Sequence, residues 1–231
     1  MDTIGIIGAM EEEIRLLKDI FTCREQFEEG GVVFHLGETD RYRVVLMQCG
    51  IGKVNAAIGT TLLISRYNPL CIINTGSAGA LDRELNQGDV IISSHVVHHD
   101  VDVTPFGYVM GQVPQLPETF IPEEKLVEVA SRAAEEQAHL NVKKGAIASG
   151  DQFVSDLDRV DRIRKEFPEA VAAEMEAAAI GQTCHQFGKP FVIIRSISDR
   201  ADSDAALSFE EFLETAAVNS ARIVEGIVKG L

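Results

Sequence analysis

The run Phe191-Val-Ile-Ile-Arg-Ser-Ile-Ser198 constrains the fold more than any other part of the chain. Both of its alternating faces are apolar, as in a strand covered by helices on either side, so it reads as the centre of a sheet. Just ahead of it, a helical pattern over residues 175–187 is stopped by Gly188 and Pro190. The same alternation runs through the rest of the chain. Strands are expected at residues 4–8, 32–36, 44–49, 70–74, 89–93, 144–149 and 170–173. Helices are expected over residues 10–20 and from Gly52 to an end at Asn68-Pro69. Others start at Pro122, between the strands at 144–149 and 170–173, and at a capping box Ser208-Phe-Glu-Glu211. This order predicts an α/β fold, a single domain over residues 1–231 with three α/β/α layers around a central mixed sheet. Residues 94–121 break the pattern, with Pro105, Gly107, Gly111 and Pro114 ahead of Pro117 and no clean period. A long stretch of that kind reads as a functional or interface loop.

Charge narrows the partners. Lys and Arg total 21 against 36 Asp and Glu, a formal net charge of −15. A surface so acidic repels polyphosphate, which argues against nucleic acid and anionic membrane and favours a small neutral or cationic ligand. Cys23, Cys49, Cys71 and Cys184 form no CxxC pair, so metal knuckles and thioredoxin-like chemistry fail on spacing, and free thiols in a reducing compartment are expected. The first residues lack the basic region and apolar core of a signal peptide, and no apolar run approaches the roughly 20 residues of a membrane span. A cytoplasmic location is expected.

In open α/β sheets ligands bind at the carboxyl ends of strands. Four such ends are polar or glycine-rich: Gly8-Ala-Met-Glu-Glu-Glu13, Gly76-Ser-Ala-Gly79, Ala173-Glu-Met-Glu176 and Arg195-Ser-Ile-Ser-Asp199. Each has a plainer reading. Glu11 to Glu13 fit the first turn of a helix, where the dipole favours acids. Glu174 and Glu176 fit an exposed helix start, and Asp199 fits a loop or capping residue. The Gly76 to Gly79 turn is too short for a dinucleotide fingerprint and lacks the lysine of a P-loop. His98-His99-Asp100 with Asp102 resembles a metal cluster, but adjacent histidines in an extended chain point to opposite faces, so no metal is expected. A Ser-His-Asp triad has no G-x-S-x-G elbow behind it.

Taken together, the motifs are more specific. Ile4-Gly-Ile-Ile-Gly-Ala-Met-Glu-Glu-Glu13, Gly50-Ile-Gly-Lys-Val54, Asn74-Thr-Gly-Ser-Ala-Gly79, Ser149-Gly-Asp151, Glu174-Met-Glu176 and Arg195-Ser-Ile-Ser-Asp199 occur in this order. The chain closely resembles the bacterial 5′-methylthioadenosine/S-adenosylhomocysteine nucleosidases of the nucleoside phosphorylase superfamily, over nearly its whole length. The resemblance implies a nucleoside phosphorylase-like fold and hydrolysis of the N-glycosidic bond of those two nucleosides, and of 5′-deoxyadenosine, in methionine salvage and methyl-cycle recycling. It implies that Asp199 is the general acid at adenine N7, oriented by Ser198, and that Glu13 activates the attacking water with help from Arg195 and the Ser77 loop. Met175 and Glu176 would hold the ribose. Phe153 would stack on adenine, the backbone of Val154 would read its Watson–Crick edge, and Phe209 would line the base pocket. Ala9, Ala78, Gly79 and Glu174 complete the expected substrate contacts. A homodimer is implied, with Val103, Phe106 and Pro114 completing the 5′ pocket of the partner subunit, and with neither metal nor organic cofactor.

The implied chemistry is physically coherent. Cleavage at C1′ develops positive charge on the ribose and negative charge on the base, as in glycoside hydrolysis with an acid and a base on opposite sides. Protonating the leaving base typically contributes about 10²–10⁴-fold. An aspartic acid with a reference pKa of about 3.9 must then keep its proton near neutrality, which burial and neighbouring carboxylates favour. Two rivals use the same fold: a purine nucleoside phosphorylase or futalosine-type hydrolase, and a silent nucleoside-binding protein. The absence of arginine from the Gly50–Val54 and Gly76–Gly79 loops favours water over phosphate as the nucleophile.

Overall fold

Strands and helices alternate as the apolar patterning dictates, and the strands join into one mixed sheet with helices on both faces. The computed structural model describes residues 1–137, 140–200 and 205–231, with the backbone alone at 206–208. The strands are β1 (Thr3–Gly8), β2 (Glu25–Glu29), β3 (Val32–Glu38), β4 (Arg43–Gln48), β5 (Cys71–Ala80), β6 (Val90–His98), β7 (Val142–Ser149), β8 (Ala170–Glu174) and β9 (Phe191–Asp199). The helices are α1 (Glu11–Ile20), α2 (Lys53–Tyr67), α3 (Glu124–Glu135), α4 (Leu157–Glu166), α5 (Ala177–Phe187) and α6 (Ala205–Gly230).

From one edge the strand order is β2-β3-β4-β1-β5, with β1 parallel to both β4 and β5. Beyond β5 the sheet closes on itself. Strand β5 runs parallel to β9 from Ile72 to Gly79, while its last residues, Gly79 and Ala80, also pair antiparallel with β8. Strands β9, β6, β7 and β8 then pair in succession and complete a ring with β5.

The period of two along each strand builds two cores. Ile6, Leu46, Ile73, Val192 and Ile194 pack on the side of α1, α3 and α6. Val45, Met47, Ile72 and Ile193 pack on the side of α2 and α5. Each such aliphatic side chain, buried on folding, contributes about 1.5–3 kcal/mol. Strand β9 is buried along its whole length, as its two apolar faces require.

Several expected boundaries shift for identifiable reasons. The glycine-rich 76–79 segment is strand rather than turn, because β9 and β8 supply hydrogen-bonding partners on both sides. Strand β6 continues to His98, past the expected end at Ser93; a bulge between Ser93 and His95 breaks the alternation that would have announced it. Helix α5 begins at Ala177, so Met175 and Glu176 precede it. Helix α6 begins at Ala205, ahead of the expected box at Ser208, whose side chain lies outside the described residues. Strand β2 carries no sequence signal: it is an exposed edge rich in glutamate, held by Phe27 stacked on Phe34 at 5.0 Å.

Candidate active site

A pocket of about 270 Å³ opens where β1, β5, β8 and β9 end. Ala9, Glu13, Ser77, Ala78, Gly79, Phe153, Val154, Glu174, Met175, Glu176, Ser198, Asp199 and Phe209 line it, together with Met10, Ile51, Gln152 and Ala173. The volume suits one small organic molecule.

Glu13 sits in the first turn of α1, as the dipole reading allows, but it is buried rather than exposed. Its Oε2 accepts from the backbone N–H of Ala9 at 2.7 Å and of Met10 at 3.1 Å. Its Oε1 accepts from Ser77 N at 3.0 Å and Ser77 Oγ at 3.3 Å. Burial pushes the Glu13 carboxyl above the usual range, against the opposing pull of Arg195 and of those backbone donors. Glu13 therefore combines a fixed position with enhanced basicity. Gly76 makes this possible, because a Cβ there would stand 2.7 Å from Glu13 Oε1 and 3.3 Å from Arg195 Nη1.

Arg195 is fully buried behind the pocket wall. Its Nη2 donates to Glu174 Oε2 at 2.6 Å, and its Nη1 to the Ile194 carbonyl at 3.1 Å. Glu174 Oε2 also accepts from the N–H of Glu176 at 3.0 Å and of Ala177 at 2.9 Å, at the positive end of α5. The reading of Glu174 and Glu176 as an exposed helix start fails, since both are buried. Glu176 Oε1 accepts from Gly52 N at 2.8 Å. Burial and the charge of Glu174 push the Glu176 carboxyl up to about 8.

The turn that delivers Gly52 N–H is braced. Gly52 has φ +98°, open to glycine, and a Cβ there would stand 3.0 Å from Asp151 Oδ1. Asp151 Oδ1 accepts from Lys53 N at 2.7 Å, Asp151 N donates to Asp100 Oδ2 at 2.9 Å, and Lys53 Nζ pairs with Asp100 Oδ1. The ends of β6 and β7 thus hold the turn over the pocket.

At the end of β9, Ser198 and Asp199 both reach the pocket, although consecutive residues of a strand point to opposite faces. A bulge resolves this: Ala78 pairs with Ile197 and Gly79 with Asp199, which leaves Ser198 as the extra residue. Asp199 is buried as the last residue of its strand, not a helix cap, and Ser198 Oγ donates to Asp199 Oδ2 at 2.8 Å. Phe153 and Phe209 meet edge to face, with centroids 6.0 Å apart, and form an aromatic wall.

Val103, Phe106 and Pro114 stand outside this pocket, in the loop after β6, with Phe106 81% exposed. Met10, Ile51, Gln152 and Ala173 went unassigned in the sequence. Ile51, an apolar residue between two glycines, carried the clearest signal, since a turn tip is an unusual place for an isoleucine. His98 does not face the pocket; its Nε2 hydrogen-bonds Gln182 Oε1 at 2.9 Å and its ring meets Phe120. Among the described residues no group of three or more His, Cys, Asp or Glu is placed to hold a metal ion. Nor is any helix among them long and apolar enough to cross a membrane.

The phosphorylase superfamily model matches residues 3–229. A 5′-methylthioadenosine/S-adenosylhomocysteine nucleosidase of Staphylococcus haemolyticus is 51% identical over 228 residues, covering 99% of this chain and all of that protein. The crystal structure of the nucleosidase of the same name from Neisseria meningitidis, in complex with methylthio-immucillin-A, superposes with a TM-score of 0.98 at 52% identity, covering both chains fully. Futalosine hydrolase of Helicobacter pylori has a TM-score of 0.95 at 37% identity, covering all of this chain and 98% of its own.

Proposed function

The chain belongs to the 5′-methylthioadenosine/S-adenosylhomocysteine nucleosidases of the phosphorylase superfamily, and on that premise we propose how its pocket carries out the hydrolysis. The enzyme is an N-glycosidase that releases adenine from 5′-methylthioadenosine and S-adenosylhomocysteine. 5′-Deoxyadenosine fits the same reaction, because the 5′ substituent takes no part in the bond being broken.

Asp199, held by Ser198, donates a proton to adenine N7 as the bond from C1′ to N9 breaks. Glu13, held by Ala9, Met10 and Ser77, takes a proton from the water that attacks C1′ on the opposite face. The products are adenine and the free 5′-thioribose, so protons and bonds balance. A base works best with a pKa near the operating pH, and the burial of Glu13 moves it in that direction. Glu176 and Met175 hold the ribose, Phe153 stacks on adenine against Phe209, and the backbone of Val154 reads the base edge. Ala78 and Gly79 form the floor under the nucleoside. Glu174 lines the pocket, but its carboxylate is engaged by Arg195 and the start of α5, so its part is to position Arg195.

One observation carries the choice of water over phosphate. Among the described residues lining the pocket there is no lysine or arginine, while Glu13, Glu174, Glu176 and Asp199 all contribute. A lining without a cationic side chain offers a phosphate dianion no partner, whereas a Glu13 carboxylate below C1′ stabilises a ribosyl cation. Adenine release should be equally fast with and without phosphate, and the sugar product should be free thioribose. Formation of a thioribose 1-phosphate would overturn the hydrolytic reading.

Ile51, Val54 and Ile58 around the start of α2, and Phe106 and Val109 in the loop after β6, are large apolar side chains exposed on the surface, of the kind that marks association. A homodimer in which Val103, Phe106 and Pro114 close the 5′ pocket of the partner subunit uses that surface. The four cysteines are free thiols, which supports a reducing cytoplasm as its location.

A further inference from the structure

Ser149, the last residue of β7, is fully buried and lies outside the pocket lining. Its hydroxyl makes two hydrogen bonds of opposite sense. It donates to Glu174 Oε1, and it accepts from Ala178 N, in the first turn of α5, at 2.8 Å. Among the described residues it is the only hydrogen-bond donor to that carboxylate oxygen. The other oxygen takes Arg195 Nη2 and the N–H groups of Glu176 and Ala177. Glu174 is thus pinned from β7, β9 and α5 together, and the Arg195 guanidinium that it binds lies beside Glu13.

We propose that Ser149 is a positioning residue for the hydrolytic reaction, acting through Glu174 to hold the Arg195 guanidinium beside Glu13. A hydroxyl is the smallest group that donates to a carboxylate and accepts from a helix N–H at once. Alanine leaves Glu174 Oε1 and the Ala178 N–H without this partner, so the carboxylate is held through Oε2 alone and its plane is less firmly set. Because Arg195 follows Glu174, the consequence falls on the water-activating side of the pocket rather than on the aromatic wall that holds adenine. The inference rests on the reading of Glu13 and Asp199 as the reacting groups.

The test compares Ser149→Ala with the intact enzyme as the full-length protein, normalised to the folded fraction by thermal melting. Turnover should fall at least tenfold while KM for 5′-methylthioadenosine changes less than threefold. In a Glu174→Gln background the same substitution should change turnover less than twofold, because the group it acts through is already altered. Where steady-state turnover is too slow to read, single-turnover release of adenine by excess enzyme replaces it in the cycle, with the same expectation of less than a twofold change. An equal loss in both backgrounds, a rise in KM without loss of turnover, or unchanged kinetics would overturn the inference. Should Glu13→Gln and Asp199→Asn both turn over normally, the failure belongs to the site reading instead.

Discussion

Gly76 and Glu13 meet so closely that a Cβ on the glycine would stand 2.7 Å from Glu13 Oε1 and 3.1 Å from its Cδ. Both carboxylate oxygens are already committed to backbone N–H groups and to Ser77. Gly76→Ala should therefore displace the carboxylate and lower turnover at least tenfold. The backbone of Gly76 lies outside the left-handed region, so the variant should remain folded. Adenine release and a thermal melt check the two parts; a folded variant with intact turnover would show that the position of Glu13 is not critical.

Asp199→Asn keeps the shape of the side chain and its neighbour Ser198 but removes the proton to be donated. Adenine affinity should stay within a few-fold and turnover should fall at least about a hundredfold. Glu13→Gln should likewise abolish hydrolysis. Either variant with near-normal rates would assign its role to another group.

Glu176 is pushed up to about 8 by burial and by the charge of Glu174. Its folded value lies above its ordinary one, so the stability it contributes is complete at low pH. That stability is lost as pH climbs from the usual carboxylate range through about 8. Glu176→Gln cannot ionise and escapes this loss. The melting temperature of the variant relative to the native enzyme, without nucleoside, should be lowest near pH 5 and rise by several degrees towards pH 9. At this chain length about 2–4 °C corresponds to 1 kcal/mol. A difference that is constant with pH would contradict a raised Glu176.

Phe106, in the loop after β6, is 81% exposed. Phe106→Asp should shift the sedimentation of the protein from dimer to monomer at micromolar concentration. Hydrolysis should weaken chiefly through a higher KM for 5′-thio substrates, with adenine affinity less affected. A variant that stays dimeric, or a native protein that is monomeric, would remove this loop from the interface.

The order of elements other than β2, the apolar centre of the sheet and the polar strand ends were legible in the sequence, because they depend on periodicity and on residue type. Strand β9 announced itself by two apolar faces, and helix α5 by the glycine and proline that stop it. Local pattern could not tell Glu13 in a first helical turn from an ordinary solvent-facing acid, nor Asp199 from a cap; the family motifs separated them. Tertiary structure alone decided how these groups meet. The bulge opposite Gly79 brings Ser198 and Asp199 to one pocket against the strand period, and a bulge depends on pairing with another strand. The absence of a side chain at Gly76 matters only because Glu13 and Arg195 fill that space. Ser149 acquires its partner Glu174 only when β7 and β8 lie side by side. Residue identity determines which groups can react, whereas strand pairing determines which of them come within a hydrogen bond of one another.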